Sequence, residues 1–172
     1  MNTTTNSQFK HPITIKISDF LWSIGIEVYA GKIEQKTFLP GIRIVEGCIH
    51  VDEEKMLSPG DILHEAGHLA IITPAIRKTL TDTVVYDELM QGGEEMGAIA
   101  WSWAALKHLD LEPEILFHPE GYKGSSDSLI ENFSEGRYLG VPILQWKGLS
   151  FEPRFAQEKG VLPFPTMINW TV

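Results

Sequence analysis

The chain opens on a polar run, "MNTTTNSQFKHP", which has little to bury and reads as a flexible tail over residues 1–12. Apolar residues then recur near helical spacing at Phe20, Leu21, Ile24 and Val28, behind Ser18 and Asp19 as caps. That pattern predicts a helix, against which Gly25 and the β-branched residues weigh. From Ile42 the period shortens to two: Ile42 and Ile44, then Cys48 and His50, alternate on either side of Glu46-Gly47, which predicts a β-hairpin. "LSPGDILHEAGHLAII" returns to helix, with Ser58 as N-cap, Pro59 at the first helical position and Asp61 toward the positive end of the dipole. Thr73-Pro74 stops it, because the residue before proline is pushed out of helical geometry.

The longest helical pattern runs over residues 88–109, with Met96, Ile99, Ala100, Trp103 and Leu106 as its apolar stripe and Gly92-Gly93 near its start. "FHPEGYKGSSDS" reads as a turn-rich loop. Its "GYKGSSD" lacks the spacing of a phosphate loop and leads into a short helix, capped by Ser126 or Asp127 and ending near Gly136. "VPILQWKG" reads as a strand or extended segment, and "VLPFPTMINWTV" as extended chain across the body. No repeat or linker interrupts the pattern, so residues 13–172 read as a single domain of α+β class.

Composition narrows the function classes. Hydrophobic residues make up 43% of the 172, enough for a sizeable core. The net charge of -9, with no cluster of Lys or Arg, argues against nucleic acid as a partner. No apolar run approaches the roughly 18 residues that span a bilayer, and the polar opening is unlike a secretory signal. Cys48 is the single cysteine and fits a reducing compartment, so a cytoplasmic protein is expected.

Chemistry enters with "HEAGH". Residues four apart lie one turn above each other on a helix, so His64 and His68 can present their imidazoles to one metal ion about 2 Å away. Glu65, beside His64, is placed to reach a zinc-bound water without being a ligand and to act as general base when that water attacks an amide carbonyl. A catalytic zinc needs a third protein ligand and an open position. No histidine occurs over positions 71–77, "IITPAIR", which leaves an acid on the following helix. Glu95 shares a face with Ala98, Ile99 and Ser102 and is preferred; Glu94, about a hundred degrees round the helix, is the alternative.

His118, Tyr122, Arg137 and Tyr138 fall on or near later loops from which an oxyanion donor could come, although surface or packing roles suit each of them better. His50 reads as a half-buried strand residue, and Trp101 and Trp103 as core.

A hairpin, a helix bearing "HEAGH" and a later helix bearing a glutamate resemble the zincin-like metallopeptidases with a glutamate ligand, the gluzincins. "EMGAIAWS", Glu95 to Ser102, is similar to the Glu-x-x-Ala-x-x-aromatic pattern of ImmA/IrrE-type metallopeptidases, which cleave repressor proteins in some bacteria and phages. The resemblance covers roughly residues 40–108 and does not extend into the C-terminal half. It implies a zincin-like core, zinc held by His64, His68 and Glu95, Glu65 as general base, and a peptide or protein substrate, a regulatory protein among the candidates. It also implies that the hairpin strand before the helix lines a cleft and takes an extended peptide by strand addition. The rival reading is a non-catalytic zinc module for regulation or interaction. A fourth protein ligand, Glu94 or His118, closing the site would favour that rival.

Overall fold

A computed structural model describes residues 8–82 and 93–172, which form a mixed α+β body. Helix α1 spans Pro12–Ser23, six residues ahead of the expected caps. Proline at its first position presets the helical φ, and His11 Nδ1 accepts a hydrogen bond from Ile13 N at 3.3 Å. Ser18 is buried mid-helix, the helix ends at a left-handed Gly25 (φ 82°), and Val28 belongs to the first strand. Residues 1–7 of the expected tail lie outside the described residues, and its remainder is ordered. Phe9 is buried, Gln8 Oε1 accepts from Ala30 N, and the Glu53 carboxylate accepts from Lys10 N and His11 N, so the body includes residues 8–11.

Strands β1 (Val28–Ala30), β2 (Ile42–Val45) and β3 (Cys48–Val51) form one sheet in the order β1-β3-β2. β2 and β3 are the expected hairpin, with Val45 opposite Cys48 and both turn residues left-handed, Glu46 at φ 50° and Gly47 at φ 75°. β1 pairs with β3 in parallel. The strand before the "HEAGH" helix is therefore central and hydrogen-bonded on both sides, which overturns the expectation that it takes a peptide by strand addition. The outer edges are occupied as well. Ala30 N donates to Gln8 Oε1 and Val28 O accepts from Trp22 Nε1 on one side; Ile42 N donates to Leu39 O and Ile44 N to Asp82 on the other.

Helix α2 (Gly60–Ala70) crosses the centre of the body, and every residue of it except His64 is buried. It ends before Thr73-Pro74, which instead opens the short α3 (Pro74–Arg77). Arg77 folds back on α2: its Nε donates to Leu69 O at 2.8 Å and its Nη2 to Ile72 O at 3.3 Å, a cation at a helix C-terminus.

Helix α4 (Gly93–His108) carries the second half of the long helical pattern; residues 88–92 of that reading lie outside the described residues. The expected single stripe is not what it buries. Met96 is 44% exposed, whereas every residue from Gly97 to Leu106 except Ile99 is buried. The reason is that α4 is packed on several sides at once. α2 lies along one face, and Ile143 of a later helix sits over Gly93 and Gly97. The C-terminal segment covers a third, where Trp170 meets the ring of Trp101 edge-on and accepts its indole N–H at 2.8 Å.

Four short helices complete the body: α5 (Pro113–Leu116), α6 (Ser126–Ser134), α7 (Val141–Trp146) and α8 (Pro153–Lys159), with a 3-10 turn at Tyr122–Gly124 before α6. α7 replaces the strand or extended segment expected from "VPILQWKG". Gly140 (φ 82°) turns the chain where any Cβ would lie 1.9 Å from Met96 O, and Pro142 then sits in the first helical turn, where it costs no hydrogen bond. Ser126 does not cap α6; its hydroxyl donates to His118 O at 2.6 Å. Among the described residues no helix is long and apolar enough to cross a membrane.

Gly67 sets the spacing of α2 and α4. A Cβ there would lie 2.6 Å from Ala98 O and 3.1 Å from Ala98 Cα, backbone atoms that cannot turn aside. In an isolated helix Gly→Ala gains about 0.8–1 kcal/mol, but overpacking a core contact costs typically 1–3 kcal/mol. With backbone on the far side, the clash wins. Gly67→Ala should lower the urea midpoint; a raised midpoint would show that α4 moves away freely.

Candidate metal centre

Helix periodicity stacks His64 under His68, and the contact at Gly67 brings the first turn of α4 beside them. Glu95 then completes a cluster whose donor atoms all lie within 4.8 Å of one another. His64 Nε2 is 3.3 Å from His68 Nε2 and 3.5 Å from Glu95 Oε1, and His68 Nε2 is 3.1 Å from Glu95 Oε2. Ligands held tetrahedrally about 2.0–2.1 Å from zinc are about 3.3 Å apart; the two imidazole nitrogens have that spacing, and each has a different oxygen of the Glu95 carboxylate at a similar distance. The donor set of two imidazoles and a carboxylate suits zinc chemically. Glu95 Oε2 is buried and, despite its distance to His68, makes no well-directed hydrogen bond. A buried oxygen without a hydrogen bond, turned toward the His68 imidazole nitrogen, fits a cation as its partner.

The protonation states also fit. Burial, and then the neighbouring His68, push His64 down to about 4, against the opposing pull of Glu95. Its imidazole is therefore neutral near pH 7 and has a lone pair to give. Burial alone would raise Glu95, but contact with His68, the charges that His64 and His68 carry once protonated, and Lys123 outweigh it and hold the carboxyl below its usual range. Glu65, next along α2, is 2% exposed. The His68 side chain is closed off, whereas those of His64 and Glu95 keep 12% and 28% of their surface, so the cluster opens to solvent on the His64–Glu95 side.

The remaining candidates separate. Among the described residues Glu94 lies outside the cluster. His118 Nε2 is 2.9 Å from Asp61 Oδ1, both side chains buried, so His118 is engaged away from the His64–His68–Glu95 cluster. Burial raises the Asp61 carboxyl, and the hydrogen bond and charge of His118 oppose it. Arg137 pairs with Glu131 and Glu135 on the surface, and Tyr138 packs against Phe133 and Phe164. Tyr122 does reach the centre: its hydroxyl is 3.4 Å from His64 Nδ1, with the two rings edge-to-face. Burial, followed by Asp61, Glu95 and Glu65, keeps that phenol protonated far above neutral pH. His50 is half-buried on β3 beside Tyr29, while Trp101 and Trp103 are core.

Two contributors escaped sequence reasoning. Asp61 reads as a helix-dipole acid yet anchors His118. Ser102 reads as a small neighbour, yet its single hydroxyl proton is shared between Ala98 O of its own helix at 2.6 Å and Leu63 O of α2 at 3.0 Å, the second contact tying α4 to α2. Only the pairing of distant segments shows either role. No protein-family model, curated protein or solved structure matches the chain.

The purified protein should hold one zinc per chain by elemental analysis. Glu95→Ala should weaken it by more than the ~10–100-fold that loss of an outer-shell partner costs, and Glu94→Ala should leave it unchanged. The reverse pattern would move the third ligand to Glu94. A pH dependence follows from His64, whose folded value of about 4 lies below the ordinary 6.5. The unfolded chain takes up this proton first, so the contribution is intact above 6.5 and is lost as pH falls toward 4. Thermal midpoints of the chelator-treated protein should fall more steeply across that window for wild type than for His64→Gln; parallel curves would show that His64 is not held neutral.

Proposed function

We propose that the chain is a zinc-dependent hydrolase with a zincin-like centre, a metallopeptidase in which Glu65 is the general base. The observation that carries this reading is the three-donor cluster formed by His64, His68 and Glu95, with a buried glutamate beside it and an opening on one side. The order of hairpin, "HEAGH" helix and glutamate-bearing helix agrees with it. His64 and His68 would hold the ion from α2 and Glu95 from α4. Zinc, when bound, supplies Lewis acidity that polarises a carbonyl and acidifies water.

Glu65 takes the proton of the attacking water as its oxygen bonds to the amide carbon. It returns that proton to the nitrogen as the carbon–nitrogen bond breaks, giving a carboxylic acid and an amine. Because both described edges of the sheet are engaged, side-chain contacts around the opening, rather than strand addition to β3, would hold the substrate.

The rival, a closed non-catalytic zinc module, needs a fourth protein ligand. His118 is turned to Asp61 and Glu94 lies outside the cluster, which favours the hydrolase. The test is Glu65→Gln with an unfolded protein such as casein as substrate. The variant should keep its zinc and lose about 10²–10⁴-fold in hydrolysis. Undiminished hydrolysis would remove Glu65 as the base, and a zinc-loaded wild type that cleaves nothing would favour the rival.

A further inference from the structure

We infer that Tyr122 is a positioning residue for this centre: its phenol oxygen accepts a hydrogen bond from His64 Nδ1–H and so keeps the Nε2 lone pair of His64 turned toward the ion. This rests on the metal-centre reading above and adds a residue to it. The geometry places the phenol behind the ligand rather than in front of it. Tyr122 Oη is 3.4 Å from Nδ1, whereas Nε2 is the nitrogen that faces His68 and Glu95. A hydroxyl there can donate to a bare Nδ1 or accept from an Nδ1–H, and the second arrangement is the one that leaves Nε2 free for the ion. A neutral imidazole can bind metal through Nε2 only when its proton sits on Nδ1, and a hydrogen-bond acceptor at Nδ1 favours that form. His68 has no such partner: its Nδ1 is buried without a hydrogen bond.

The segment carrying Tyr122 is fastened from several directions. Phe117, stacked on Trp103, meets the Tyr122 ring edge-on at 5.1 Å. His118 is bonded to Asp61, one turn before His64 on α2, and the Ser126 hydroxyl donates to His118 O. Between these ties the backbone enters the left-handed region at Tyr122 and Lys123, both at φ 52° and neither a glycine. Such conformations persist where the surroundings over-determine them, and they cluster where a side chain must be aimed.

The test uses ¹⁵N-histidine-labelled, metal-free protein and long-range ¹H–¹⁵N correlation at neutral pH, together with zinc affinity by chelator competition. Wild-type His64 should appear as the Nδ1–H tautomer. Tyr122→Phe, with an unchanged thermal midpoint, should shift His64 toward Nε2–H and weaken zinc by ~10–100-fold. The same tautomer and affinity in Tyr122→Phe overturn the role of Tyr122 alone. Absence of zinc uptake by wild type overturns the metal centre and this role with it. Should Tyr122→Phe fail to fold, the wild-type spectrum decides: an Nε2–H His64 overturns the proposal.

Discussion

The close approach of α2 and α4 at Gly67 is the contact on which the site depends, because the two helices carry the three donors between them. His64 and His68 would be stacked by helix geometry in any case. Glu95 reaches them only because a residue without a Cβ lets Ala98 backbone come into contact, and because the Ser102 hydroxyl of α4 reaches Leu63 O of α2 across the same gap. The pair of helices is in turn held from outside. Ile143 closes over the two glycines of α4, and the C-terminal segment covers Trp101 and gives Val172 N to Ala70 O at the end of α2. Burial on this scale makes polar groups costly unless they are matched; in the centre some are matched by each other, while His68 Nδ1 and Glu95 Oε2 are buried without a hydrogen bond.

That matching divides into two neighbouring networks on one helix. Asp61, at the start of α2, is joined to His118 and sets the position of the loop that follows α5. His64 and His68, further along, face Glu95. Tyr122 lies between the networks, carried by the first and touching the second. Arg77 closes the far end of the helix through carbonyls that have no partner inside it. A single eleven-residue helix thereby has its start, middle and end each fixed by a different part of the chain.

The local parts of this were legible in the sequence. The hairpin declared itself through alternation around Glu46-Gly47, and "HEAGH" with its flanking apolar residues declared both the helix and the two histidines stacked on one face of it. Glu95 was preferred from its face on α4, and it is the residue that meets the two histidines. What was not legible came from pairings between distant segments. α1 begins early because His11 and Pro12 start it and Glu53 and Gln8 hold the residues before it. "VPILQWKG" is apolar enough for a strand, and it is helical because Gly140 turns the chain tightly against Met96. The stripe expected on α4 failed because several elements cover that helix, which leaves no solvent side for periodicity to report. Tyr122 looked like a loop aromatic, since nothing in "GYKG" states which side chain it will touch.

The sheet carries a consequence of another kind. Three strands of three or four residues are a small sheet, and small open sheets are exposed to edge-to-edge association between copies. Here Gln8 and Trp22 cap one margin, while Leu39 and Asp82 cap the other. Four of the groups that a neighbouring copy would need for templated β-pairing, Val28 O, Ala30 N, Ile42 N and Ile44 N, are already bonded within the chain. β1 and β2 deny a peptide its place beside β3, and the contacts on their own outer margins make edge-to-edge association between copies harder.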